Sequence, residues 1–255
     1  MSRIVTSLIL IPSVVYVVFF GPGWLFRLVV LALALLCFHE YAGIAAAQRL
    51  RFPLWLGHAL GVTFLFEPTG DWKVLLGWAM LASVLSLRAE KLSEALPLAG
   101  ALVFGILYVY GAWRSALVLR EHGAWWVFFA VSLNWVGDTA ALYAGRAFGK
   151  HKLAPLISPA KTWEGAVASA VSTTVYGAAL IWRFVPATPP VQAALMALAA
   201  GVAGQIGDLV ESAIKRGAGL KDSGTMLPGH GGWLDRLDST LFSMPVVAFY
   251  LSLTK

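Results

Sequence analysis

The sequence predicts an all-α, polytopic membrane protein with about nine transmembrane helices. Two observations carry that class. Of its 255 residues 59% are hydrophobic and only 13% are charged, against roughly a quarter charged in a soluble chain. Apolar runs close to the ~20 residues that cross a bilayer also alternate with short polar loops. A third observation locates the chemistry: carboxylates stand at helix ends in the second half of the chain, where intramembrane charge is expensive and therefore points to function.

Spans are expected at 4–20, 24–46, 53–67, 72–87, 95–112, 124–144, 163–183, 191–213 and 238–253. The first follows Arg3 but lacks a small-residue cleavage pattern and precedes further spans, so it reads as a transmembrane helix and not a leader. The third and fourth are short, which suits tilted, re-entrant or half-buried segments. Pro53, Pro68 and Pro97 sit near expected boundaries. The chain divides into N-terminal transmembrane helices, 1–123, and a C-terminal transmembrane region, 124–255, that holds the polar motifs.

The one cysteine, Cys37, lies in an apolar run and reads as a packing residue. It excludes an internal disulfide, and no Cys/His cluster suggests zinc. The net charge of +6 comes without a basic patch or an RNA-binding motif, so no nucleic-acid partner is expected. Loop cations instead orient the chain. With nine spans, one side holds Arg3, Arg49, Arg51, Arg88, Lys91, Arg146, Lys150, Lys152, Lys161, Lys215, Arg216, Lys221 and Arg236, and the other holds the remaining six of nineteen. The richer side is expected to be cytoplasmic. The polar loops 145–162 and 214–237 then face the cytosol.

Three places carry carboxylates. Asp138 stands in the run Asn134-Trp135-Val136-Gly137-Asp138-Thr139. Asp208, Glu211, Ser212 and Lys215 are spaced i, i+3, i+4, i+7, which puts them on one helical face. Asp235 and Asp238 are i, i+3 neighbours if a helix begins there, and they repel unless a cation sits between them. A hard, oxygen-preferring ion such as Mg²⁺ suits one or two carboxylates plus substrate phosphates. Between the last two places runs Lys221-Asp222-Ser223-Gly224, then Pro228-Gly229-His230-Gly231-Gly232. Glycines let N–H groups converge on an anion. Lys215, Arg216, Lys221 and Arg236 supply cations for phosphate, joined by Arg146, Lys150, Lys152 and Lys161 from the earlier loop. Carboxylates for a metal beside cations for phosphate suit phosphoryl or nucleotidyl transfer.

Blander roles compete. The aspartates serve equally as helix caps or partners of Arg216 and Arg236. Glu211 can pair with Lys215 at i+4. Arg146, Lys150 and Lys152 can simply fix topology and touch anionic lipid. His230 suits an acid, a hydrogen-bond donor or a loop-shaping residue. His39 and Glu40 read as a polar contact inside the second span, not as catalysts. The eleven tryptophans read as interface belts and packing.

The stretch from Ser212 through Lys215-Arg216, Lys221-Asp222, Pro228-Gly-His230-Gly231-Gly232 and Asp235-Arg236-Leu-Asp238 resembles the phosphatidate cytidylyltransferase (CDP-diacylglycerol synthase) signature throughout its length. Gly145-Arg146-Ala-Phe148-Gly149-Lys150 and Ser158-Pro159-Ala160-Lys161-Thr162-Trp163-Glu164-Gly165 extend the likeness, which covers about 138–240. The resemblance departs at Ala160 and Leu142. It implies that CTP and phosphatidic acid react to CDP-diacylglycerol and pyrophosphate, making 124–255 a catalytic region. It also implies a Mg²⁺ site, with a second cation such as K⁺, and a homodimer in the bilayer. Implied catalytic residues are Asp208, Lys215, Asp222, Asp235 and Asp238. Implied substrate contacts are Lys161, Ser212, Arg216, Lys221, His230, Gly231, Gly232 and Arg236, and implied metal ligands are Asp208 and Asp235, then Asp238 and Asp138. A CTP-dependent lipid kinase, which some related membrane folds suggest, and a transporter, with the intramembrane carboxylates lining an ion path, stand beside it as alternatives. The absence of paired half-repeats argues against the transporter.

Overall fold

The computed structural model describes residues 2–67, 72–89, 91–227, 229 and 231–253. Its helices are α1 (Ser2–Phe19), α2 (Gly23–Ala47), α3 (Leu54–Phe66), α4 (Trp72–Ser86), α5 (Leu92–His122), α6 (Ala124–Phe148), α7 (Trp163–Phe184), α8 (Pro190–Gly217) and α9 (Leu234–Leu253). Among the described residues α2, α5, α6, α7 and α8 are long and apolar enough to cross a membrane, and α3 and α4 are shorter apolar helices. The chain is thus a helical membrane protein, as its composition requires.

Two segments differ from expectation. Residues 152–162, expected as a loop, form an antiparallel pair, β1 (Lys152–Ala154) and β2 (Ser158–Thr162), with Lys152 opposite Thr162 and Ala154 opposite Ser158. Pro155 and Pro159 forbid a helix here, and strands this short leave no readable alternation. The fifth span, expected to stop at 112, continues as helix to His122, with a π-helical stretch at Ile106–Gly111. Arg114 does not end it, because its guanidinium reaches the Phe64 carbonyl (2.9 Å) and the Glu67 carboxylate (3.2 Å).

The chain packs as two compact units. One comprises Met1–Phe26, Ser115–Ala213 and Leu237–Lys255; the other comprises Arg27–Arg114 and Ile214–Arg236. The division at 123/124 follows hydropathy and motif content, whereas these units follow packing, so α2, α5, α8 and α9 each contribute to both.

In the first unit α6 lies along α7. Small residues let the backbones meet: a side chain at Gly165 would stand 2.9 Å from the Ala141 carbonyl, the small-residue packing expected in hydrocarbon. Polar side chains add interhelical bonds. Buried Asn134 of α6 donates to Thr240 (3.3 Å) and Ser243 (3.0 Å) of α9, and Ser243 donates to the Ala130 carbonyl at 3.0 Å. Gln205 of α8 donates to the Ala166 carbonyl of α7 at 3.3 Å.

In the second unit an aromatic core surrounds Phe38, whose ring faces those of His58 and Tyr110 at 5.3 Å each. Tyr110 and His58 share a 2.7 Å hydrogen bond, and Tyr41 donates to the Ala101 carbonyl at 2.7 Å. This core holds α2 against α3 and α5, and so fixes the position of Glu40 within the unit. Gln48, just beyond α2, donates to the Ile214 carbonyl at 3.1 Å, which ties the end of α8 to the same unit.

Candidate active site

The sequence-level candidates fall into two groupings, one in each unit. In the first unit the hairpin delivers Lys161. Thr162 caps α7, its hydroxyl accepting the Gly165 N–H at 3.2 Å. The first turn of α7 holds the hairpin through Glu164, which accepts the His151 N–H and pairs with its ring nitrogen at 2.6 Å. Lys161, one residue before the cap, then pairs with Asp208 of α8 at 2.6 Å. Both side chains remain partly exposed, at 26% and 30%, so the pair is open to exchange with a charged ligand. Ser212, one turn on, donates to the other Asp208 oxygen at 3.4 Å.

In the second unit α8 ends where Gly219 adopts φ +71°, the left-handed conformation that glycine permits at a helix C-terminus. The Leu220 N–H returns to the Lys215 carbonyl at 2.9 Å. Lys215 and Arg216 therefore occupy the last turn, where the helix dipole favours cations. The Lys215 ammonium donates to the Asp235 carboxylate. Both side chains are buried, at 11% and 4% exposure. Asp235 also accepts the Ser223 N–H (2.9 and 3.1 Å) and the Gly232 N–H (2.7 Å). Burial alone would raise its carboxyl, but the Lys215 ammonium and these N–H groups outweigh it and hold it below the usual aspartate value. Asp235 stands before the apolar stretch of α9, at its first turn.

The loop between α8 and α9 closes on itself through the Leu227 N–H and the Gly231 carbonyl at 2.9 Å. Gly231 has φ +80°, and a side chain there would strike Asp235. Lys221, Asp222, Arg216 and Arg236 are exposed around it, and Gly232 is buried. Asp238 accepts the Ser239 N–H at 2.6 Å in the first unit. Asp138 is exposed on α6, and Glu211 is buried at 1% exposure. Lys215, which the spacing on α8 allows to pair with Glu211, reaches Asp235. His230 and Pro228 lie outside the described residues.

Among the described residues no three or more His, Cys, Asp or Glu side chains gather as a metal cage. Mg²⁺ does not need one, since it takes one or two carboxylates and completes its shell with phosphate and water. Asp208 fits that demand: it is partly exposed, and an exchangeable ammonium holds it. Asp235 as arranged does not, because its oxygens already receive an ammonium and two N–H groups. It could ligate a metal only if Lys215 left it.

Sequence reasoning missed the depth of Glu40's involvement. Its carboxylate accepts the Trp233 N–H (3.0 Å), the Leu234 N–H (2.8 Å) and the Ser223 hydroxyl (2.9 Å). The available signal was a lone carboxylate in a long apolar helix. Ser223, which touches both Glu40 and Asp235, gave no signal beyond its place in the motif.

The family model described as "Cytidylyltransferase family" matches residues 1–254. The chain is 34% identical to the phosphatidate cytidylyltransferase of Brucella suis over 242 residues, which covers 93% of this chain and 87% of that one. It is 45% identical to the phosphatidate cytidylyltransferase of Bacillus subtilis over 137 residues, about half of each chain. It is also 31% identical over 245 residues to the Escherichia coli protein called "Uncharacterized protein YnbB", covering 91% of this chain and 80% of that one.

Proposed function

This chain belongs to the cytidylyltransferase family, and we propose that it transfers the CMP moiety of CTP to phosphatidic acid, releasing pyrophosphate and forming CDP-diacylglycerol. The supporting observation is chemical. In a chain only 13% charged, paired lysines and aspartates and a glycine-bearing loop concentrate on α8 and the segments flanking it.

The phosphate of phosphatidic acid is already an anion, so its oxygen can attack the α-phosphorus of CTP without a strong general base. The P–O bond to the β-phosphate breaks, and pyrophosphate leaves with the electron pair. The protein must bring two anions together and stabilise the leaving group. In this reading Lys161 and Lys215 exchange their aspartate partners for substrate phosphates. Arg216, Lys221 and Arg236 add charge-assisted bonds from the exposed rim. The Gly231 N–H and His230 beside it in the sequence orient the triphosphate, and Gly232, whose N–H is held by Asp235, shapes the loop around it. Ser212 holds Asp208 in place, and Asp222 adds a carboxylate at the exposed rim.

Mg²⁺ belongs to this proposal, with Asp208 as the first ligand to be tested and Asp138 and Asp238 as secondary candidates. When bound it would neutralise triphosphate charge; a second cation such as K⁺ would add to that. The acyl chains remain in the bilayer while the head group enters from it. In this reading the chemistry lies at the cytosolic face of the inner membrane, which the excess of lysine and arginine in these loops supports, and the working form is a homodimer.

The test uses purified protein in mixed micelles with CTP, phosphatidic acid and Mg²⁺. Pyrophosphate release that requires the lipid is the expected result. Release at the same rate without phosphatidic acid would contradict the proposal, and loss of release on chelation is expected.

A further inference from the structure

Glu40 lies in α2, a 25-residue helix long and apolar enough to cross a membrane, and it is only 4% exposed. A carboxylate in such a place persists only if its hydrogen-bonding capacity is filled. Among the described residues, the groups that fill it come from the loop after α8 and the first residue of α9. One oxygen takes the Trp233 N–H and the other takes the Leu234 N–H and the Ser223 hydroxyl. The two N–H groups stand at the start of α9, where the first donors of a helix lack internal partners and carry its partial positive charge. A side chain nearly two hundred residues away therefore caps α9.

The contacts continue beyond the cap. Ser223, whose hydroxyl Glu40 holds, gives its own N–H to Asp235, and its hydroxyl accepts the Asp235 N–H at 3.3 Å. Asp235 in turn holds Lys215. Both ends of the loop also approach the same carboxylate without side chains of their own. A side chain at Gly224 would meet the Glu40 carboxylate at 2.7 Å, and one at Gly232 would meet it as well.

We infer that Glu40 is a positioning residue for the transfer reaction: it pins the two ends of loop 221–233 together and, through Ser223, sets the orientation of Asp235 and Lys215. It touches no substrate. The inference rests on the proposed reading of the loop as the triphosphate-binding element. The charge of the carboxylate matters, because Glu40 receives three donors and gives none. Glutamine would keep the shape but turn an NH₂ group toward a donor.

The experiment compares wild-type protein with E40Q, G224A and H39N. It measures amide hydrogen exchange of the 221–236 segment, and KM for CTP and for phosphatidic acid separately from kcat. E40Q is expected to speed exchange in that segment by about tenfold or more, as loss of one charge-assisted hydrogen bond would. It should raise KM for CTP by a similar factor and leave KM for phosphatidic acid within about twofold. G224A keeps the carboxylate but crowds it, and should shift both readouts the same way. It carries the test if E40Q does not fold. H39N alters the exposed neighbour on α2 and should match wild type. Unchanged exchange in E40Q and G224A would overturn the inference, and so would faster exchange with an unchanged KM for CTP. A wild-type protein without cytidylyl transfer would sink the proposed function instead, while the exchange measurements would still decide whether Glu40 holds the loop.

Discussion

Lys215 and Asp235 form a demanding pair, since both are buried and each satisfies the other. Replacing one member of such a pair strands a charge, at about 3–5 kcal/mol. D235N should therefore lower thermal stability in detergent and release the Lys215 ammonium and the Ser223 and Gly232 N–H groups from their common acceptor. Turnover should fall by about 100-fold, the scale of a small misplacement of a reacting group. Wild-type turnover in folded D235N would remove Asp235 from the site. The Lys161–Asp208 pair is different, because it is partly exposed and such pairs contribute roughly 0–1 kcal/mol. K161A should leave thermal stability almost unchanged and lower kcat/KM by about tenfold or more, the loss of one charge-assisted contact to phosphate. An unaltered kcat/KM would deny Lys161 a substrate role. D208N should raise the Mg²⁺ concentration needed for half-maximal rate by at least about tenfold, since losing even an outer partner of a ligand has that effect. An unchanged Mg²⁺ titration would place the metal elsewhere.

The carboxylates and lysines were legible from sequence because charge is rare in this chain, so each charged residue stands out. Their partners were not. Spacing on α8 allowed Lys215 to meet Glu211 one turn back, and it could not show that Asp235, twenty residues on, would fold over it. Glu40 was visible as an odd residue in an apolar helix. Its donors lie 183 to 194 residues away, a separation no local pattern reports.

At the scale of elements, helices emerged from hydropathy almost directly, because every backbone group in a bilayer must be satisfied within its own segment. The β1–β2 hairpin escaped that logic, being short, polar and proline-bearing. Continuation of α5 past 112 escaped it too, because Arg114 looked like a loop residue until its acceptors at Phe64 and Glu67 were known. The polar seam between α6 and α9 offers a test at this scale. Asn134 donates to two hydroxyl oxygens of α9 there, and interhelical bonds of this kind average about 0.6 kcal/mol each. N134L should lower thermal stability by about 1–2 kcal/mol in detergent while the protein remains helical by circular dichroism. A variant as stable as wild type would show that packing alone holds these helices.

For the whole molecule, the orientation drawn from lysine and arginine placement awaits a direct measurement. The one cysteine, Cys37, is buried, so an introduced surface thiol can be read against a quiet background. Lys152, in β1 before α7, and Arg183, in the last turn of α7, are both exposed, and the 22 residues of that helix span about 33 Å. K152C should react with a membrane-impermeant maleimide from the cytosolic face alone, and R183C from the opposite face alone. Labelling of both from one side would refute the topology.

The central claim is the identity of the group transferred, and the fate of the two ends of CTP decides it. Purified protein receives phosphatidic acid and Mg²⁺ with CTP labelled either at the α- or at the γ-phosphate. The account predicts α-label in the lipid fraction and γ-label in free pyrophosphate. γ-Label in the lipid, with α-label left in soluble CDP, would contradict it and make the protein a CTP-dependent lipid kinase.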